Sequence, residues 1–506
     1  MTTTSGGDDR AGPGRWAWGL CWVLFVSTLI NYMDRQTMSL VGPQVKSEFR
    51  LDNERYGQIL AAFSLAYAFF QVPAGYLADR WDVRRTYAGA VAFWSLAGMA
   101  TALAPSVGAL LALRALLGLG ESFNWPCALR VTGRVLPPGD RGLGNGIFNS
   151  GAAVGAVVTP LVVPLLAARF GWRSAFVAVG ALGFVWVALW LALTWGRRGA
   201  AIAGKGEDVE RGGPKSGLAG PARAAFGSLV VVAGLLALGA FRFGQTAIWW
   251  SVAVLMVGPL VVARALPTRW LEGAGWAEGL GELIRRRRFW VMVVVSISVN
   301  VCWHFLVNWL PTYLRDDRDL TAIAAWVGRV GGRRLMAGRG EPRDLAVAGL
   351  TALVFLVADL GNLGGGALSR RLARAGLSPS KARGIVMAGC AALISAGAWV
   401  GGVRGDATVV ILLAVMAFGT AAFMANYFGF CQEVEAQRTG LVVGILGGMG
   451  NLFAAAFLPV AGRVKDATGG FGPVFVVVGL LPIVGVAALA LGWGRDPDPQ
   501  PEGEPA

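Results

Sequence analysis

Apolar residues recur along this 506-residue chain in stretches of about 20, the length that a helix needs to cross a bilayer. The pattern predicts two sets of six spans, at 16–41, 55–78, 86–104, 107–129, 143–168 and 173–195, then at 289–313, 345–367, 384–402, 407–431, 439–462 and 472–494. Two further apolar stretches, 226–243 and 246–266, lie between the sets and bring the predicted total to about 14. The chain therefore reads as an all-α polytopic membrane protein.

The two sets of spans predict two six-helix lobes, because many secondary transporters are built from repeated bundles. We divide the chain into a cytoplasmic tail (1–15), an N-terminal lobe (16–195), a cytoplasmic linker with the extra hairpin (196–288), a C-terminal lobe (289–494) and a disordered tail (495–506). The last tail is rich in Pro and Glu, a composition that does not form a packed core. Because the insertion holds an even number of helices, both lobes keep their orientation.

The composition agrees with a membrane location, since 55% of the residues are hydrophobic and only 15% are charged. The net charge of +15 comes largely from arginines in short connections between spans. We interpret this as the positive-inside bias of a multi-pass protein of the inner or plasma membrane with both termini cytoplasmic. We expect no nucleic-acid partner. One connection, 314–344, is basic although this topology places it outside.

The sequence carries no signature of an enzyme or of a cofactor site. Its five cysteines are scattered singly, which gives neither a disulfide framework nor metal-ligand spacing. It lacks a nucleophile and base constellation and a nucleotide-binding loop of the Gly-x4-Gly-Lys-Ser/Thr kind. We therefore expect no cofactor, no catalytic residue and no ATP-driven step, and we expect a monomer in the lipid bilayer.

Four charged residues lie inside apolar spans, where each costs at least about 2.5–3.5 kcal/mol to insert. Asp34 and Arg35 lie in the first span, and Arg114 and Glu121 lie in the fourth. The seven residues between Arg114 and Glu121 put them on one helix face, about two turns apart. We expect these four residues to form the ion and substrate site. The alternative is a structural ion pair that locks two helices.

Depth along the spans places Asp34 and Arg114 about level with each other, roughly 10–12 Å from the outer ends. A pairing of Asp34 with Arg114 is therefore geometrically allowed if the two spans are neighbours. Tyr67 and Gln71, at i and i+4 on the second span, share a face and could contact the hydroxyl groups of a ligand. They could equally make ordinary helix contacts.

The only histidine, His304, lies in the middle of the seventh core span. An imidazole there could relay protons, bind a sugar hydroxyl or simply pack. Asn308 shares its face at i+4 and favours a ligand contact. Asp359 and Asn362, at i and i+3 on the next span, form another polar pair in apolar surroundings.

Several motifs in the spans carry a family resemblance. They are Asn31-Tyr32-Met33-Asp34-Arg35, Ala66-Tyr67-Ala68 with Gln71, Arg114-Ala-Leu-Leu-Gly-Leu-Gly-Glu121 with Asn124-Trp125-Pro126, Gly146-Ile-Phe-Asn149-Ser150-Gly151, Trp309-Leu310-Pro311-Thr312-Tyr313-Leu314 and Ala358-Asp359-Leu360-Gly361-Asn362-Leu363. These segments resemble the major facilitator superfamily and, more narrowly, its anion:cation symporters for hexuronate, galactonate and glucarate. The resemblance covers both predicted lobes.

The resemblance implies proton-coupled symport of a small organic anion of the sugar-acid class, a hexuronate or an aldonate, by alternating access. It implies that Arg35 binds the substrate carboxylate while Asp34 and Glu121 take up protons. Burial raises the pKa of a carboxyl group, and a nearby arginine lowers it. The arrival of substrate at Arg35 can therefore switch the proton affinity of the neighbouring carboxyl groups. The substrate-binding candidates are completed by Tyr32, Tyr67, Gln71, Arg114, Asn149, His304, Asn308 and Asn362.

The superfamily's cytoplasmic signature between spans two and three is present as Gly75-Tyr-Leu-Ala-Asp79-Arg80-Trp-Asp82-Val-Arg84-Arg85. The resemblance implies a conformational latch formed by Gly75, Asp79, Arg80 and Arg84. Asp82 stands where a glycine is usual. In the matching stretch of the second lobe, Arg370 stands where an aspartate is common, which leaves a symmetric latch open.

Other functions remain compatible with these residues. A membrane sensor of the same ligands could keep the fold and use the added hairpin as an interaction surface. A carboxylate exchanger, or a symporter driven by sodium, could use the same arginine. The identity of the anion is also open, because arginines predict a negative charge and Tyr, Asn and Gln predict hydroxyl groups without separating one sugar acid from another.

Overall fold

The computed structural model describes residues 14–51, 53–196, 199, 202, 283–321, 323, 325 and 342–494. The predicted hairpin 226–243 and 246–266, most of the 314–344 connection, and nearly all of both tails lie outside the described residues. We refer to the described residues up to 202 as the first half and to those from 283 onwards as the second half.

The described part of the chain is helical and contains no strand. The first half forms α1 (Arg15–Leu40), α2 (Gly42–Phe49), α3 (Asn53–Arg80), α4 (Val83–Thr101), α5 (Val107–Glu121), α6 (Asn124–Val135), α7 (Pro138–Phe170) and α8 (Trp172–Thr194). The second half forms α9 (Arg287–Asp316), α10 (Pro342–Arg374), α11 (Pro379–Ser395), α12 (Asp406–Val434), α13 (Thr439–Thr468) and α14 (Gly472–Gly492). A 3₁₀ helix, Ala396–Gly402, extends α11.

Within these described residues, 11 helical segments are long and apolar enough to cross a membrane. Helices α5 and α6 together make one of them, Val107–Val135. The predicted core span that is not among the 11 corresponds to α4, whose first turn carries Arg84 and Arg85 and is therefore less apolar. An all-α chain with multiple apolar spans is confirmed, whereas the total of 14 stays a prediction.

The fourth predicted span is broken directly after Glu121. Helix α5 ends at Glu121 and α6 begins at Asn124. Pro126 explains the break, because it has no N–H to donate one turn back and its ring would clash with that carbonyl, while it is tolerated in a first helical turn. Glu121 consequently sits at a helix end, fully buried in the bundle.

Small residues allow the helices to approach one another closely. A side chain at Gly151 of α7 would overlap the backbone of α1 near Phe25 and Leu29. Between the halves, Gly75 of α3 lies directly against Gly440 of α13 in the same way. Helices α3 and α13, and helices α7 and α10, are therefore the close contacts between the halves.

Apolar side chains face outward as well as inward. Val185 on α8, Leu360 on α10 and Ile411 on α12 are each more than half exposed. An exposed apolar surface of this kind suits a bundle whose solvent is lipid. The polar and charged residues discussed below are instead collected in the interior between the helices.

Candidate substrate cavity

A cavity of about 60 Å³ lies between the two halves. The first half contributes Tyr32, Arg35, Tyr67, Gln71, Trp125 and Asn149 to its walls. The second half contributes Asn300, Trp303, His304, Met424, Tyr427, Phe428, Val443, Gly447 and Asn451. The walls combine aromatic rings with amide groups, and among the described lining residues only Arg35 is a lysine or arginine.

Arg35 forms an ion pair with Glu121 at the wall of this cavity. Its Nε donates to Glu121 Oε2 at 2.7 Å, and the Glu121 side chain is 0% exposed against 23% for Arg35. The guanidinium carbon lies 4.2 Å from the ring centroid of Tyr67 and 5.4 Å from that of Tyr32. Arg35 Nη2 and Glu121 Oε1 have no hydrogen-bond partner. The pair therefore keeps unused donor and acceptor capacity next to the cavity.

Asp34 points away from the cavity into the first half. It is 1% exposed, and its Oδ1 faces Gly98 of α4. Its Oδ2 has no hydrogen-bond partner, and no ion pair within 4.0 Å joins Asp34 to Arg114 among the described residues. The pairing that the depth count allowed is not formed in this structure.

Arg114 also lies outside the cavity lining, although it was a substrate-binding candidate. Its side chain is 1% exposed, and its guanidinium carbon lies 5.5 Å from the ring centroid of Phe176 on α8. Its Nε and Nη2 have no hydrogen-bond partner. Of the four charged residues, Asp34, Arg114 and Glu121 are thus buried behind the cavity wall. Only Arg35 lines the cavity.

Tyr67 and Gln71 begin a hydrogen-bonded chain across the cavity. Gln71 Nε2 donates to the Tyr67 hydroxyl at 3.0 Å, and Gln71 Oε1 accepts from Asn451 Nδ2 of the second half at 3.2 Å. A second bridge joins Asn149 Nδ2 to Asn362 Oδ1 at 2.6 Å. Asn149 lines the cavity, whereas Asn362 stands behind it.

His304 is held by its own helix. Its Nδ1 lies 2.9 Å from the backbone carbonyl oxygen of Asn300, one turn earlier on α9. Asn308, the i+4 candidate, donates to the carbonyl of His304 at 2.8 Å, is exposed and does not line the cavity. The structure therefore brings His304 into the site without Asn308.

The cavity residues that were not among the sequence candidates include Trp125, Asn300, Trp303 and Tyr427. Two of them carried a signal in the sequence. Asn300 precedes His304 by four residues, so it shares the helix face of that histidine. Trp125 belongs to the Asn-Trp-Pro motif, where the break between α5 and α6 turns its ring toward the cavity and against Phe428, at 5.0 Å between centroids. Trp303 and Tyr427 look like ordinary span aromatics in the sequence.

At one end of the bundle, which we call the latch end, the halves are joined by polar contacts. Asp79, at the end of α3, pairs with Arg130 of α6. The same carboxylate accepts from the backbone N–H groups of Gly440 and Leu441 at 2.8 and 2.7 Å, at the beginning of α13. The amino end of a helix carries partial positive charge and unpaired N–H groups, so a carboxylate is well placed there. Asp79 therefore bridges the two halves.

The other latch candidates have local roles. Arg80 lies 5.1 Å from the ring of Tyr76, its helical neighbour. Arg84 binds Asp82 at 2.8 Å, and Asp82 accepts from the Arg84 backbone N–H to begin α4. Partial burial would raise the pKa of Asp82, but the hydrogen bonds from Arg84 outweigh it, so that the pKa lies below its ordinary value. Asp82, in place of the usual glycine, thus caps a helix.

A second set of contacts at the latch end has the opposite polarity. Arg370, near the end of α10, pairs with Asp140 in the first turn of α7. Nearby, Arg383 bonds to the carbonyl of Pro138 and to Glu433. Asp79 and Arg370 occupy matching places in the two halves, so one latch presents an acid to the facing helix and the other presents a base.

At the other end of the bundle, the ion pairs among the described residues each stay within one half. Glu48 binds Arg173 at 2.6 Å in the first half. In the second half, Arg318 binds Asp406 at 2.8 Å and Lys465 binds Asp316 at 2.6 Å. The two halves are thus drawn together at the latch end.

Comparison with known proteins identifies the family of this chain. The family model of the Major Facilitator Superfamily matches residues 24–457. The chain is 26% identical to the probable L-galactonate transporter of Escherichia coli K12, over 92% of this chain and 87% of that protein. It is 24% identical to the probable galactarate/D-glucarate transporter GudP of Bacillus subtilis 168, over 94% and 91% of the two chains. It is also 24% identical to the hexuronate transporter of the same organism, over 92% of each.

Solved structures share the fold. The E. coli fucose:proton symporter FucP superposes with a TM-score of 0.59 at 13% identity, covering 94% of this chain and 99% of that one. The proton:xylose symporter XylE gives a TM-score of 0.57 at 14% identity, covering 94% and 95%. These matches confirm the resemblance drawn from the span motifs, and the family consists of transporters and not of enzymes. The chain is a multi-pass membrane transporter and belongs to the major facilitator superfamily.

Proposed function

We propose that this protein is a proton-coupled symporter of a sugar acid, and that its halves act as two six-helix lobes that rock about the central cavity. The observation that carries the proposal is the ion pair between Arg35 and Glu121, which stands at the wall of a cavity built by both halves. The names of the curated relatives support the sugar-acid class, and the proton symporters that share the fold support the coupling ion.

Coupling follows from two carboxylates sharing one guanidinium charge. Arg35 is bound to Glu121 through Nε in this structure, so a substrate carboxylate that binds the remaining donors shares the positive charge of Arg35 with Glu121. Protonation of Glu121 removes its negative charge and frees Arg35 for the substrate. Proton and substrate therefore favour each other's binding, and by linkage the effect is equal in both directions.

Asp34 extends this arrangement by a second carboxylate. It adjoins Arg35 in the chain, is buried and keeps one oxygen without a partner. A buried carboxylate without a hydrogen-bonded partner is costly when it is charged. We assign Asp34 to a second proton, because protonation removes that cost without a competing ion pair.

The remaining walls suit a polyhydroxylated ligand. Tyr67, Gln71, Asn149 and Asn451 carry hydroxyl and amide groups that can bond sugar hydroxyls. The rings of Trp125 and Trp303 provide apolar faces against which the carbon skeleton of a sugar can pack.

We assign the latch end to the cytoplasm, so that this structure represents an outward-facing state. Both latches join the halves there, whereas the ion pairs at the other end stay within single halves. The positive-inside rule supports this orientation. The latch end carries Arg80, Arg84, Arg85, Arg130, Arg134, Arg141, Arg370, Arg371 and Arg374.

Uptake into liposomes tests the coupling. Wild-type protein should accumulate a radiolabelled hexuronate or galactonate under an inward proton gradient and lose accumulation when the gradient is collapsed. The double variant Asp34→Asn, Glu121→Gln should lose gradient-driven accumulation and keep exchange of labelled for unlabelled substrate, because the neutral groups mimic the protonated state. Glu48→Gln removes an exposed carboxylate remote from the cavity and is the matched control.

Three outcomes would contradict the proposal. Undiminished gradient-driven uptake by the double variant would remove the coupling assignment. Accumulation that follows a sodium gradient, or that occurs only with counter-substrate inside, would replace it by sodium symport or by exchange. Binding of the acid without any flux would point to a sensor.

A further inference from the structure

The charge of the cavity is unusually one-sided. Arg35 is the only Lys or Arg among the described residues that line it. The other arginine inside a predicted span, Arg114, is buried behind the wall. The facing wall, contributed by the second half, carries His304 between amide and aromatic groups. A ligand that binds Arg35 therefore meets His304 and neutral groups on the wall contributed by the second half.

The hydrogen bond of His304 defines its tautomer. A backbone carbonyl oxygen can only accept, so the Nδ1 that lies 2.9 Å from the carbonyl of Asn300 carries a hydrogen. In the neutral imidazole the other nitrogen, Nε2, then has a lone pair and acts as an acceptor. His304 presents an acceptor to its partners.

Three asparagines on the cavity walls donate amide N–H groups to protein acceptors. Asn451 Nδ2 donates both to Gln71 and to the carbonyl of Gly447, at 3.2 and 2.8 Å. Asn300 Nδ2 donates to the carbonyl of Ser296 at 2.9 Å. Asn149 Nδ2 donates to Asn362 at 2.6 Å. With these N–H groups engaged, the amide oxygens are left to accept from ligand hydroxyl groups, which donate.

Given the proposed function, we propose that the site selects monoanionic sugar acids, aldonates and hexuronates, over the dicarboxylate aldarates. One carboxylate binds Arg35, and a hydroxyl at the far end of the ligand donates to His304 Nε2. A second carboxylate in the same place would bring a full charge to membrane depth without a cation, opposite an acceptor. The relatives transport both kinds of acid by name, so family membership does not decide between them.

Galactonate and galactarate provide a matched pair, because they share a six-carbon chain and differ in the oxidation of the terminal carbon. Binding of each to purified protein is measured by isothermal titration calorimetry at neutral pH, and each is then tested as a competitor of uptake. We expect galactarate to bind at least about tenfold more weakly, since a site rejects a ligand whose polar group it leaves unpaired. Galactarate that binds as tightly as galactonate would overturn the inference and leave the sugar-acid function standing. Failure of galactonate, glucuronate and galactarate alike to bind would overturn both.

A charge added at residue 304 tests the role of that position. His304→Arg places a cation on the wall that faces Arg35 and should narrow or reverse the preference for galactonate. Asn308→Arg adds the same charge one turn further along α9, outside the cavity lining, and should leave the preference as in wild type. If His304→Arg does not fold, His304→Gln supplies a neutral donor and should narrow the preference to a smaller extent. A preference unchanged in a folded residue-304 variant, or changed equally by Asn308→Arg, would remove His304 from the selectivity.

Discussion

The side chain on which the proposed transport depends most is that of Arg35. It is only partly exposed, is bound to a fully buried glutamate and lies against the ring of Tyr67. Its guanidinium has donors left for a ligand, arranged in a planar fork that a lysine in the same place would lack. In the proposed function, the same guanidinium therefore binds the substrate carboxylate and couples that binding to protonation of Glu121. Substitution of Arg35 tests both roles.

We expect Arg35→Gln to weaken sugar-acid binding by at least about tenfold to a hundredfold, the range for a lost charge-assisted hydrogen bond. Arg35→Lys should fall between this variant and wild type, because it keeps the charge and loses the paired donors. Calorimetric Kd values measure both effects. Arg85→Gln, which removes an arginine that is 87% exposed, is the control and should bind as wild type does. Equal binding by Arg35→Gln and the control would exclude Arg35 from the site.

The neighbours of the four membrane charges could be predicted only in part. Spacing correctly put Arg114 and Glu121 on one helix, but it could not show that α5 ends at Glu121 and that a short turn separates it from α6. Depth counting brought Asp34 level with Arg114. The sequence does not say which spans are neighbours, and α1 packs mainly against α7 and α8. The carboxylate that reaches Arg35 is therefore Glu121, and Arg114 remains without an ion pair among the described residues.

At the scale of helices, the two latches show how matching places in the halves can serve one purpose with different chemistry. Asp79 uses the positive end of α13, whereas Arg370 relies on an acid, Asp140, that the first turn of α7 provides. The motif predicted the first latch from the sequence. It left the second open, because the partner of Arg370 is more than 200 residues away in the chain.

A charge swap tests the second latch. R370D alone should open the latch end, because it puts two acids together at the start of α7. The double variant D140R/R370D should close it again in part, since an arginine in a first helical turn opposes the helix dipole. Spin labels at residues 85 and 374, both exposed at this end, report the separation by their distance distribution. Equal distributions in R370D and wild type would show that this pair does not hold the halves together.

At the scale of the whole molecule, the fold was the most predictable feature. Runs of about 20 apolar residues define helices largely on their own, because every backbone polar group must be satisfied in lipid. The cavity was less predictable, since its walls combine residues from seven helices whose arrangement no local pattern encodes. Asn451, for example, lines the cavity next to Gln71, which belongs to the other half and lies 380 residues away in the chain.

We expect the two latches to contribute independently to the closed state. Asp79→Asn and Arg370→Gln change different helix pairs, so their effects on the free energy of opening should add to within about 0.5 kcal/mol in the double variant. The populations of short and long distances between labels at residues 85 and 374 give these free energies. A double variant no more open than either single one would show that the latches act as a single unit.

The break after Glu121 makes helix length a determinant of coupling. Each residue of an α-helix turns its side chain by about 100°, so one residue inserted between Arg114 and Glu121 would rotate the carboxylate away from the cavity while leaving every charged residue present. The number of residues in the 15-residue helix α5 thus determines whether Glu121 reaches Arg35, and with it whether protonation can affect substrate binding. The amino-acid composition of the site alone does not contain this information.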